Sequence, residues 1–113
     1  MKTIIAGGRE FLDYNKLVET MANLKFPVSI VVSGKARGAD SLGEKWAKEN
    51  GKPLEIYPAK WDLYGKRAGY VRNQKMADVA EALVAFWDGR SRGTQHMINI
   101  AKEKGLKVHV ERY

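Results

Sequence analysis

Cysteine is absent from the 113 residues, which excludes disulfides and thiolate metal sites. Long hydrophobic runs are absent too. The opening MKTIIAGG is apolar but too short for a secretory leader or a membrane span, so a cytoplasmic protein with no membrane partner is expected. No linker, repeat or low-complexity tract interrupts the chain, and its length fits one domain over residues 1–113. Histidine is scarce. His109 has no neighbour at metal-ligand spacing and His96 is read as exposed or satisfied in the core, so no metal and no cofactor is expected. The Gly-x-Gly-x-x-Gly dinucleotide fingerprint is missing. So is a Walker A loop, because only three residues separate Gly34 from Gly38 and no Lys-Ser/Thr follows.

Acidic residues are outnumbered. Lys and Arg total 20 against 13 Asp and Glu, a formal charge of +7. This balance favours anionic partners, although Lys45, Lys48, Lys102 and Lys104 fit a solvated surface equally well. Basic residues are densest from Lys60 to Lys75, where Trp61, Tyr64 and Tyr70 are interleaved. Such a stretch suits a contact surface.

Short apolar runs alternate with longer amphipathic ones. Thr3–Ala6, Val28–Val32, Leu54–Tyr57, Ala82–Phe86 and Leu106–Val110 read as strands. Between them, one helix starts at an Asp13 cap and carries Leu17, Val18, Met21 and Ala22 on its apolar face. A second buries Leu42, Trp46 and Ala47 before Gly51. A third runs from Lys66 to Val79, and a fourth carries Met97, Ile98 and Ala101. The alternation predicts an α/β fold of the Rossmann-like three-layer kind, with a central parallel sheet of about five strands and helices on both faces.

In such sheets ligands bind outside the carboxyl ends of the strands. Polar or glycine-rich turns follow three strands here: Gly7-Gly8-Arg9, Ser33 to Asp40, and Asp88 to Thr94. All three belong at one edge. Glycine lets backbone N–H groups approach an anion, and a helix start adds a favourable dipole. Ser33, Gly34, Lys35, Arg37 and Gly38 combine these features with positive charge, and Ser91, Arg92, Gly93 and Thr94 repeat the design. Asp40 either bonds a ribose hydroxyl or caps its helix, with capping the simpler role. Asp88 either meets ligand or braces its turn. Trp61 and Trp87 are candidates to stack on a base, whereas Trp46 has core spacing.

The turns, together with Pro58–Trp61, Ala68-Gly69, Arg72-Asn73-Gln74-Lys75-Met76 and Phe86–Thr94, resemble the YspA/YpsA-related branch of the SLOG superfamily. The resemblance implies a Rossmann-like sheet, a nucleotide site including Arg72 and Asn73, association with phage or defence genes, and a homodimer. LOG relatives cleave the N-glycosidic bond of nucleoside monophosphates with a Pro-Gly-Gly-x-Gly-Thr-x-x-Glu motif. Gly93 and Thr94 match its Gly-Thr, Arg72 matches a helix arginine, but Met97 stands where the glutamate belongs. Cleavage builds positive charge that a carboxylate stabilises, so Asp88, Asp40 or Glu44 would have to serve. The resemblance therefore supports binding of a nucleotide or nucleotide-derived phosphate ligand first. Hydrolysis by Arg72, Asp88 and Asp40 stands second. Single-stranded nucleic-acid binding, as in DprA relatives, stands third.

Overall fold

The computed structural model describes residues 1–113. The elements are β1 (Lys2–Gly7), α1 (Tyr14–Ala22), β2 (Ile30–Ser33), α2 (Ala39–Glu49), β3 (Leu54–Ile56), α3 (Trp61–Tyr64), α4 (Ala68–Val79), β4 (Ala82–Trp87), α5 (Arg92–Glu103) and β5 (Lys107–Arg112). Every strand pairing is parallel, and the order across the sheet is β3-β2-β1-β4-β5. The chain steps outward from β1 to β3, crosses the opposite face, and resumes beside β1. This is the expected Rossmann-like α/β architecture.

Alternating side chains divide between two cores. Ile4, Ala6, Leu83 and Ala85 pack with Met76, Ala77, Met97 and Ala101 of α4 and α5. Ile5, Val84 and Phe86 pack with Phe11, and with Leu17, Met21 and Ala47 of α1 and α2. Covering on both faces explains why Ala82–Phe86 reads as an unbroken apolar run. No helix is long and apolar enough to cross a membrane.

Local details depart from the expected pattern. Asp13 caps α1, accepting from the Lys16 N–H at 3.0 Å. The buried face of α1, however, is Leu17, Thr20 and Met21, while Val18 and Ala22 are exposed. Thr20 can turn inward because its hydroxyl donates to the Lys16 carbonyl at 2.8 Å, which leaves its methyl to the core. Leu42 and Trp46 sit half-buried at the margin of the second core. Residues expected to form a loop contain α3, followed by a 3-10 turn at Gly65–Arg67, so α4 begins at Ala68 rather than Lys66.

Gly38 is a tight crossing between two turns. Its φ is +76°, and a Cβ there would strike the carbonyls of Gly8 and Arg9. The turn after β2 thereby lies directly on the turn after β1. Gly105 has the same φ of +76° with open space around it. Gly105→Ala should cost about 1 kcal/mol, the ordinary penalty for a left-handed L-residue. Gly38→Ala should cost at least about twice that, since backbone must also move. Urea unfolding of both variants checks the difference.

Candidate functional site

After β1 the chain turns to one face of the sheet, and after β4 to the other. The adjacent carboxyl ends of β1 and β4 therefore open a crevice, as at any switch point of an open parallel sheet. Its volume is about 430 Å³, within the usual range of small-molecule sites. Gly7, Gly8 and Arg9 line it from β1, Asp40 from α2, and Arg72 and Asn73 from α4. Asp88, Ser91, Gly93 and Thr94 line it from the start of α5, and Ala6, Met76 and Met97 supply an apolar base. Gly34, Lys35 and Arg37 line an adjoining groove that shares Arg9, Trp61 and Arg72 with the crevice. Residues from all three glycine-rich turns thus lie at one edge.

A chain of hydrogen bonds crosses the crevice. Arg72 donates through Nη1 to the Gly34 carbonyl and through Nε to Asn73 Oδ1 at 3.0 Å. Asn73 Nδ2 donates to the Gly93 carbonyl at 3.3 Å and lies 3.3 Å from His96 Nδ1. Two adjacent residues of α4 thereby fix the turn after β2 relative to the start of α5. Gly34 has no space for a side chain, because a Cβ would meet the Arg72 guanidinium and, at 2.8 Å, Asp40 Oδ2.

Asp40 is buried beside this chain. Its Oδ2 accepts from the Ala36 N–H at 3.2 Å, and burial pushes its pKa up to about 6 against the pull of Arg72. It does not cap α2. The cap position is Gly38, and the carboxylate folds back onto its own loop. Burial also lowers the Arg72 pKa, with Asp40 opposing and Arg9 reinforcing the shift. The Arg9 side chain makes no hydrogen bond or ion pair, leaving a free cation at the mouth.

The third turn is braced internally. Asp88 Oδ1 accepts from the N–H groups of Arg90 and Ser91, both at 2.8 Å, and these bonds hold its pKa below the ordinary carboxylate value. Ser91 caps α5 by accepting from the Thr94 N–H at 3.4 Å. The N–H groups of Arg92 and Gly93 have no partner within the chain. Trp87 also braces this turn. Its Nε1 donates to the Ser91 carbonyl at 3.1 Å and Arg112 lies over its ring, so of the two candidate tryptophans only Trp61 lines the crevice.

Some expected site residues lie elsewhere. Ser33 is buried, donating to Glu44 Oε2 at 2.7 Å and accepting from the Lys35 N–H at 3.1 Å. It stiffens the turn and holds Glu44 outside the crevice lining. Gly38 is packed between turns, and Arg92 is exposed away from the lining. The basic, aromatic stretch is divided. Trp61, Lys66, Tyr70 and Arg72 line the crevice, while Lys60, Tyr64 and Lys75 border a separate hollow. Tyr113 and Glu10 line the crevice without any sequence pattern marking them. Tyr113 arrives there because β5 runs on in register: its N–H donates to the Trp87 carbonyl at 3.2 Å and its ring packs on Phe11.

A Rossmann-like α/β sheet with a glycine-rimmed crevice of mixed charge at its switch point defines the class of this protein. Residues 1–64 match the model of the "YspA, cpYpsA-related SLOG family". The chain is also 34% identical over 116 residues to the Gene 61 protein of Mycobacterium phage D29, which covers 95% of this chain and 93% of that protein. No solved structure matches it. The chain belongs to the YspA, cpYpsA-related SLOG family and has a phage relative. The family match includes the first two turns, while Arg72 and the third turn lie beyond it.

A carboxyl whose folded pKa lies above its unfolded value favours the fold at low pH, and that contribution is lost as pH rises through the folded value. For Asp40 the window runs from the unfolded 3.8 to about 6. Relative to Asp40→Asn, the natural protein should lose on the order of 3 kcal/mol of stability across this window. Urea unfolding of both proteins at pH 4 and pH 7 measures it. An unchanged difference would mean that Asp40 ionises as freely in the fold as in the open chain.

Proposed function

We propose that the crevice binds a nucleotide or nucleotide-derived phosphate ligand, in order to sense or sequester it. The observation that carries this reading is the Gly34–Arg72–Asn73–Gly93 chain of hydrogen bonds. It holds a guanidinium and the start of α5 around one space, lined also by the free cation of Arg9, before any ligand arrives. Phosphate oxygens suit Arg9, Arg72 and the unpartnered N–H group of Gly93. A base suits the exposed ring of Trp61. Family membership and the phage relative support a phage-associated role of this kind.

Binding is better supported than hydrolysis. Met97 offers no charge to a sugar cation, and Asp88 Oδ1 is occupied by two amides. One observation favours hydrolysis as a second reading. Asp40 is a buried carboxyl with a raised pKa beside an arginine in the crevice, a pattern common at catalytic sites. Nucleic-acid binding has less support, because the basic stretch does not form one surface.

Calorimetry against mono-, di- and cyclic nucleotides tests the first reading. At least one should bind, and Arg9→Ala, which breaks no internal contact, should weaken it by about tenfold. No response from any nucleotide would remove the reading. Release of free base from nucleoside monophosphates, abolished by Asp40→Asn, would establish the second reading instead.

A further inference from the structure

The adjoining groove has a volume of about 390 Å³ and opens from the crevice across Arg9, Ala36, Trp61 and Arg72. Its ionisable lining is Arg9, Lys35, Arg37 and Arg72, with no carboxylate. The crevice itself is mixed, carrying Glu10, Asp40 and Asp88 besides its cations. Positive charge is therefore concentrated on one side of Arg72.

Arg72 lies beside the Asp40 carboxyl, but little within the chain neutralises the other three cations. Arg9 is unpaired. Arg37 pairs with Glu10 at 3.1 Å, but both side chains are largely exposed, so solvent screens the pair and it holds the guanidinium weakly. Lys35 Nζ is 4.0 Å from Glu44, the outer limit of an ion pair, and Glu44 already accepts from Ser33. Lys35 also holds a φ of +60°, the one non-glycine residue in the left-handed region, in a turn that has glycine at positions 34 and 38. The conformation is costly for any side chain, and what the residue adds over glycine there is its ammonium group.

We infer that the ligand carries a chain of two or more phosphates. This rests on the nucleotide reading above and extends it. The nucleoside occupies the mixed crevice, the chain passes Arg9 and Arg72, and its outer phosphates lie in the second groove against Lys35 and Arg37. A nucleoside monophosphate would leave those two cations without a phosphate to bind, held only by their weak pairs with Glu44 and Glu10.

The test is calorimetry, in magnesium-free buffer, of AMP, ADP and ATP and of GMP, GDP and GTP. The natural protein and a Lys35→Gln, Arg37→Gln double variant are compared. For the natural protein, affinity should rise at least about tenfold from mono- to triphosphate in the series that binds. In the double variant that ratio should fall to about one. Equal affinity for mono- and triphosphate in the natural protein would overturn the inference and leave the nucleotide reading standing. A ratio that survives in the double variant would also overturn it, because the extra phosphates would then be held elsewhere. Binding of none of the six would overturn both.

Discussion

The site depends on the pairing of β1 with β4. Their register runs from Thr3 opposite Ala82 to Gly7 opposite Phe86, and the Gly8 N–H continues it by donating to the Phe86 carbonyl at 3.1 Å. The two strands end level and their chains depart to opposite faces. The space between the departing chains is the crevice. Moving either strand by one residue would carry its core side chains to the wrong face, so burial of Ile4, Ile5, Leu83 and Val84 also fixes where the two turns meet.

Alone, that seam would leave a gap bordered by independent loops. Arg72 and Asn73 convert it to a connected rim. Their hydrogen bonds reach the turn after β2 on one side and the start of α5 on the other, and both residues belong to α4, anchored in the core by Met76 and Ala77. Each buried side-chain nitrogen and oxygen has a partner, so the network orders the rim without leaving a buried side-chain donor unsatisfied. The buried Asp40 carboxyl lies against it, and its raised pKa expresses the low polarity of the surroundings.

Residues of one chemical type serve different ends here according to their place. Ser33, Ser91 and Asp88 have oxygen atoms fit for a ligand, yet each is used on nearby backbone N–H groups. They hold turns whose amides and cations remain available. Trp87 braces while Trp61 lines the crevice, although both follow strands or loops of similar composition. Charge is similarly sorted, with carboxylates in the crevice and cations alone in the second groove.

Strand and helix order, the parallel sheet and the edge bearing the turns follow from local pattern. Continuous β-branched or apolar runs need cover on both faces, and amphipathic segments between them provide it with right-handed crossovers, while the order across the sheet, β3-β2-β1-β4-β5, is seen only in the structure. Glycine at 7, 8, 34, 38, 89 and 93 marked the turns in the same local way. Tertiary structure alone decided which residues of those turns line the site. Thr20 replaced Val18 in the core because its hydroxyl found a carbonyl one turn back. Ser33 left the site for Glu44, and Tyr113 joined it at the end of β5. The Thr20 bond is local but lies outside any hydrophobic pattern, while the placing of Ser33 and Tyr113 depends on residues from other elements, which no periodicity of 2 or 3.6 records.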